Sequence, residues 1–239
     1  MNRRITALLG LLAASSTVWA APSPIEQAVQ RLQPGSEVLG IKETPVRGLF
    51  EVTIKDFDPV YMSEDGRYFL SGQLMQVTDA GKVVNLTDEK KRAERTAALA
   101  NVPLGDQIIY SPAKPKARIY VFTDVDCGYC RKFHTEIETY VAEGVEVHYL
   151  AYPRAGTTGE TFETMQSVWC SADRKAALTK VKAGGDLEPR KCASPVAKQY
   201  NLGKSMGVKG TPSIYRDDGT QIGGFLTPDQ MKKALQLTD

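Results

Sequence analysis

The sequence predicts an α/β protein, α+β overall, in which a small N-terminal unit of one helix and several strands precedes a larger unit built on a parallel β-α-β motif. Three observations carry this prediction. Two apolar runs, Ala117 to Thr123 and Val145 to Ala151, flank a helical segment that begins at Cys127. Between Val38 and Val84, short apolar stretches alternate with turn residues such as Asp65-Gly66. Separating the two regions is TDEKKRAERTAALAN, Thr87 to Asn101, which is rich in strong helix formers.

The chain has 239 residues, 42% of them hydrophobic, enough for one large domain or two small ones. That composition excludes disordered and collagen-like chains. The first segment, MNRRITALLGLLAASSTVWA, sets Arg3 and Arg4 ahead of the apolar run Ala7 to Ala14 and ends in the small-residue pattern Val18, Trp19, Ala20. This is the layout of a secretory signal peptide, and Ser15, Ser16 and Thr17 cut the run short of the ~18 residues a membrane span needs. Cleavage is expected after Ala20, because the next bond would leave Pro22 at the new terminus. Removing Arg3 and Arg4 leaves 28 basic residues against 28 acidic ones. With no block of like charge at either end, nothing indicates binding to nucleic acid or to a membrane surface. There is no second apolar stretch of spanning length, so no membrane insertion is expected.

In chain order, Ser23-Pro24-Ile25-Glu26 reads as a capping box with proline at the first helical position, and Ile25, Ala28, Val29 and Leu32 follow at helical spacing. Pro34-Gly35 ends that helix. The strands then hold Leu49, Val52, Ile54, Tyr61, Tyr68, Leu70, Leu74 and Val77, with a hairpin turning at Asp65-Gly66 between Val60-Tyr61-Met62 and Tyr68-Phe69-Leu70. So small a core often needs a partner to bury its remaining apolar face. The helix after it, capped at Thr87, is polar nearly all round and is expected to bridge solvent between domains. Pro103, Pro112 and Pro115 mark a boundary. After the β-α-β unit, residues 159–202 read as helices around the loop AGGDLEPRKCASP. Thr211 to Tyr215, an Asp218-Gly219 turn, Ile222 to Phe225 and a helix from Thr227 to Leu237 complete the chain.

All four cysteines, Cys127, Cys130, Cys170 and Cys192, lie in the second half and survive into an oxidising compartment. Of the three possible pairings, the closeness of Cys127 and Cys130 favours Cys127 with Cys130 and Cys170 with Cys192. The motif Cys127-Gly128-Tyr129-Cys130 sits where a strand gives way to a helix. Only a thiolate attacks a disulfide, and the unpaired N–H groups and dipole of a helix start favour that anion. Cys127 is therefore expected to attack, forming a mixed disulfide with substrate, and the more interior Cys130 to resolve it. Arg131 and Lys132 add to the positive field and Asp126 opposes it, which leaves the thiol ionisation open.

Other readings of the motif fare worse. A zinc site needs a second such pair or histidines, and only His134, His148 and the distant cysteines remain. A c-type haem needs histidine at position 131, which is arginine. A plain structural disulfide is the stronger competitor, but the strand-to-helix position beside a β-α-β pattern is the redox arrangement. His134 and His148 read as packing residues. Cys170 and Cys192 lack that setting and read as a structural bridge worth ~3 kcal/mol, with a regulatory thiol pair as the other reading. Thr211-Pro212 is either an ordinary proline opening a strand or a cis-proline beside the site, and base rates favour trans.

FTDVDCGYC, VHYLAYPR, Trp169-Cys170 with the later Cys192, and GVKGTPSIYRDDGT occur in this order over about 215 residues. Together they resemble the DsbC/DsbG family of bacterial periplasmic thiol:disulfide interchange proteins. The resemblance implies a signal peptide at 1–20, a cystatin-like α+β dimerisation domain at 21–86, a linker helix at 87–103 and a thioredoxin-like catalytic domain with a helical insertion at 104–239. It implies a V-shaped homodimer whose catalytic domains face a shared cleft. It also makes Pro212 a cis-proline beside Cys127, with the Thr211 backbone holding the substrate chain extended. The implied activity is periplasmic disulfide isomerisation, with chaperone-like binding of unfolded or misoxidised exported proteins. Cys127 would be kept reduced by a membrane reductase of the DsbD type. No metal or organic cofactor is implied. Gly128-Tyr129 resembles the DsbC branch, against a DsbG-like reductase of sulfenylated cysteines; a dimeric chaperone is the alternative from another class.

Overall fold

A computed structural model describes residues 21–237, apart from the Lys90 side chain. The signal peptide expected at 1–20 lies outside the described residues. The chain divides into two compact units, at Gln73 and Leu74.

In the first unit, Ser23 caps helix α1 (Pro24–Leu32) as its sequence demands. The Ser23 hydroxyl accepts the Glu26 N–H at 3.2 Å, and the Glu26 carboxylate accepts the Ser23 N–H at 2.6 Å. Ile25, Ala28 and Val29 then share one buried face, packed on Val52 and Met62. Strands β1 (Val38–Glu43), β2 (Leu49–Ile54), β3 (Val60–Ser63) and β4 (Phe69–Ser71) form an antiparallel meander in that order. The Asp65-Gly66 turn sets Tyr61 opposite Leu70. Glycine is required there: φ is +66°, and a Cβ would stand 2.5 Å from the Pro24 carbonyl oxygen. Strand β4 lies at an edge of this sheet, with Tyr68, Phe69 and Leu70 exposed.

The second unit opens with the hairpin β5 (Met75–Val77) and β6 (Val83–Asn85), followed by helix α2 (Leu86–Ala100). Its cap is Asn85 rather than Thr87. The Asn85 side chain accepts the Asp88 N–H at 3.0 Å, while the Thr87 hydroxyl accepts the Leu74 N–H at 2.8 Å. Nor is α2 solvated all round. Arg95 is buried, its Nε donating to the Gly219 carbonyl at 2.7 Å and its other end paired with Asp88. Leu99, also buried, joins a cluster with Tyr120, Phe122 and Tyr215.

Strand β7 (Ile108–Tyr110), short and flanked by prolines, was not expected; it pairs antiparallel with the edge of the main sheet. The β-α-β unit is as read. Strand β8 (Ala117–Thr123) and strand β9 (Val145–Ala151) run parallel, with Ala117 opposite Val145 and Thr123 opposite Ala151. The helix expected from Cys127 to about Val141 is two segments, α3 (Gly128–Thr135) and α4 (Ile137–Ala142). At Glu136 the ladder tightens, its N–H bonding Phe133 O, and across the break the rings of Phe133 and Tyr140 stack with centroids 4.6 Å apart.

Helices α5 (Glu160–Trp169), α6 (Arg174–Lys182) and α7 (Val196–Ser205) follow, then β10 (Ser213–Arg216), β11 (Gln221–Gly223) and α8 (Pro228–Leu235). The sheet order is β11-β10-β8-β9-β7, with only the central β8 and β9 pair parallel. Alternation along β8 sends Ile119 and Val121 into one core and Tyr120 and Phe122 into another, so both sheet faces are covered. No helix among the described residues is long and apolar enough to cross a membrane.

Candidate active site

Strand β8 ends at Thr123, and the next four residues turn the chain into α3 with Cys127 as its N-cap, φ −84° and ψ 118°. Asp124 fixes that turn. It is 2% exposed; its Oδ1 accepts the Asp126 N–H at 2.7 Å, and its Oδ2 accepts both the N–H and the Nε–H of Arg154 at 2.9 Å. Arg131 adds a bond from Nε to the Val125 carbonyl at 2.9 Å. Asp126 is held by the Thr161 hydroxyl and pairs loosely with Arg131 at 3.5 Å. Cys127 itself holds the helix start, with no side-chain cap bond.

Cys127 and Cys130 are both free thiols and both buried, at 4% and 1% exposure. The Cys127 S–H donates to the Thr211 carbonyl at 3.1 Å. The Thr211-Pro212 bond is cis and leads directly into β10. The two thiols differ in their electrostatics. Burial pushes the Cys127 thiol up, but hydrogen bonding from the Thr211 side chain and from the N–H and thiol of Cys130, aided by the Arg154 guanidinium, holds it below the ordinary cysteine value. Burial pushes the Cys130 thiol up, and neither the Lys182 ammonium nor its hydrogen bonds bring it back. Of the two sulfurs, Cys127 is the readier to ionise.

Around them, Gly128 opens the first turn with nothing near the place a Cβ would occupy. Tyr129 is 66% exposed, its ring 6.2 Å from that of Phe225, and the Lys132 ammonium lies 4.9 Å over the Phe225 ring. An apolar, accessible patch therefore adjoins the buried sulfurs. Both histidines are packing residues. His134 bonds the Tyr149 hydroxyl at 3.0 Å and the Thr179 hydroxyl at 2.9 Å, and burial with the nearby Lys182 charge pushes it down to about 4. His148 lies between Gln107 and Glu146. Cys170 and Cys192 are joined in a disulfide, Cα atoms 5.7 Å apart. Among the described residues, no group of three or more His, Cys, Asp or Glu side chains could hold a metal ion.

Three residues near the sulfurs escaped the sequence reading: Asp124, Arg154 and Lys182. The first two were within reach of it, because strands that end level at Thr123 and Ala151 deliver the residues just beyond them to one edge. Lys182 carried no signal. It ends α6 in an ordinary basic last turn, and its neighbours are 52 and 59 residues away in sequence.

Two family models match the chain: a disulfide bond isomerase protein N-terminal domain at residues 16–88 and a thioredoxin-like domain at residues 104–238. A thiol:disulfide interchange protein DsbC from Dickeya dadantii is 37% identical over 237 residues, covering 98% of this chain and 95% of the relative. The chain belongs to the DsbC family. The Escherichia coli DsbC is 33% identical over 229 residues, covering 95% of this chain and 93% of the relative. Among solved structures, a disulfide interchange protein from Neisseria gonorrhoeae is 27% identical with a TM-score of 0.50, covering 57% of this chain and 98% of that one. DsbC family membership makes this chain a thiol:disulfide interchange enzyme, and its fold pairs an N-terminal DsbC-type domain with a thioredoxin-like one.

Proposed function

We propose that the protein is a periplasmic disulfide isomerase in which Cys127 attacks and Cys130 resolves. The observation that carries this is the asymmetry of the two thiols. Cys127 begins a helix, touches the Thr211 carbonyl and is held below the ordinary cysteine value, whereas Cys130 one turn on is held above it. A depressed thiol at a helix start supplies more of the thiolate that opens a wrong disulfide. A raised partner thiol is slow to close the motif, which leaves time for the substrate's own thiols to displace Cys127 in new pairings.

Thr211 and Pro212, placed against Cys127, hold the backbone of the bound chain, and the Tyr129 and Phe225 rings offer apolar contact without sequence demand. Substrates are unfolded or misoxidised exported proteins, and a membrane reductase of the DsbD type returns Cys127 to the thiol. The Cys170–Cys192 bridge serves stability. A homodimer is supported by the exposed Tyr68, Phe69 and Leu70 along an unpaired sheet edge in the N-terminal unit.

Refolding of scrambled ribonuclease tests the reading. Cys127→Ala abolishes recovery of ribonuclease activity while any suppression of aggregation persists. Full recovery with the alanine variant would make the protein a chaperone instead.

A further inference from the structure

We propose that Lys182 is a positioning residue for the second half of the exchange, its ammonium being the counter-charge that lets Cys130 ionise and attack the Cys127–substrate disulfide. The inference rests on the roles of Cys127 and Cys130 proposed above. Lys182 is 5% exposed, and its Nζ donates to the Thr123 hydroxyl at 2.8 Å and more weakly to the Cys130 carbonyl at 3.5 Å. The Tyr149 ring lies 5.8 Å away. No carboxylate forms an ion pair with Lys182 among the described residues.

A buried cation requires an anion. The charged and titratable groups that face this one are Cys130, Cys127, Arg131 and His134 from α3 and its cap, Asp124 beyond β8, and Tyr149 from β9. Arg131 is itself a cation, and Asp124 is committed to Arg154. The tyrosine is held protonated by burial, and His134 is neutral at working pH. The anion left to complete the pair is a thiolate. Burial pushes Lys182 itself down to about 8, a cost that thiolate formation relieves.

The step balances without further reagents. Cys130 loses its proton and attacks the Cys127 sulfur; the Cys127–substrate S–S bond breaks, and its electron pair leaves on the substrate sulfur. The released proton ends there, giving a substrate thiol and the Cys127–Cys130 disulfide.

The chromogenic disulfide dithiobis-nitrobenzoate reads this step on the full-length reduced protein, because Cys127 releases one coloured thiolate on attack and Cys130 a second on resolution. Losing an adjacent cation raises a thiol by about one unit or more, so Lys182→Met and Lys182→Gln move the pH midpoint of the second phase up by about one unit. At pH 7 the thiolate falls about tenfold, but the more basic sulfur is about threefold more nucleophilic, for a net slowing of about threefold per unit. Above both midpoints the variants overtake the wild type. That crossing is a signature that looser packing does not give.

Coincident profiles would overturn the role of Lys182. If Cys130→Ser still released the second thiolate, the assignment of Cys130 would fail, and the role of Lys182 with it. The wild-type protein gives a reading free of substitution. By side-chain NMR, the buried lysine titrates at lower pH in the Cys127–Cys130 disulfide than in the dithiol; equal midpoints would overturn the proposal even if neither variant folded.

Discussion

Replacing Cys170 and Cys192 together by serine removes a cross-link between residues separated by 22 positions. On the chain-entropy model, a loop of that length costs the unfolded chain about 11 cal/mol/K of freedom, or ~3 kcal/mol at 25 °C. The folded structure locates the loss. The bridge ties the end of α5, beside the fully buried Trp169, to the loop after α6. A second tie, from the Arg190 N–H to the Ser167 hydroxyl at 3.0 Å, and the packing of Leu187 on the core hold the same loop without the cross-link. The double variant should therefore fold, with its second unit melting about 10 °C lower. Calorimetry gives the shift, and ribonuclease reshuffling in parallel should give a rate within about a factor of two of wild type. A melting temperature unchanged within a degree would refute the loop-closure argument. Unchanged melting with lost reshuffling would refute the structural role altogether.

Acid stability should centre on Glu146. Burial pushes this carboxyl up, but hydrogen bonds from Ser111, His148 and Arg118 outweigh that and hold it at about 2. Its folded value lies below the unfolded one, so the stabilisation is present above about pH 4.5 and is lost as pH falls toward 2. Glu146→Gln should cost at most about 3 kcal/mol in urea titrations at pH 7 and far less at pH 2, and an equal cost at both would show that charge is not the cause. Gly203→Ala would put a Cβ 2.5 Å from Tyr152 Cδ2 and 3.1 Å from Phe122 Cδ1. Overpacking of this kind should cost about 1–3 kcal/mol in spite of alanine's better helix propensity, and an unchanged urea midpoint would contradict it.

Local signals carried far in this chain. The capping box at Ser23, the Asp65-Gly66 turn and the two parallel strands are all written within a few residues of where they act. The Cys127 position at a helix start is equally local. What escaped depends on distant partners. Thr87 looked like a cap, but Leu74 claimed its hydroxyl from the facing hairpin. Arg95 made α2 look solvated until the Gly219 carbonyl, 124 residues on, gave it a buried partner. The break at Glu136 has no proline or glycine to announce it, and across it Phe133 stacks on Tyr140. Lys182 belongs to the same class, because a basic residue in a last turn is ordinary and only the packing of α6 turns it inward.

The level ending of β8 and β9 makes the sulfur chemistry a matter of integers. Asp124 and Arg154 meet because one follows Thr123 closely and the other follows Ala151, and those two residues are paired. A slip of one residue between the strands would keep most of the ladder while carrying Arg154 about 3.3 Å along and turning alternate side chains to the opposite face. No fractional slip exists between these states. Sequence drift in the helices can therefore adjust Cys127 by degrees, whereas a single insertion or deletion within β9 would remove its nearby cation in one step.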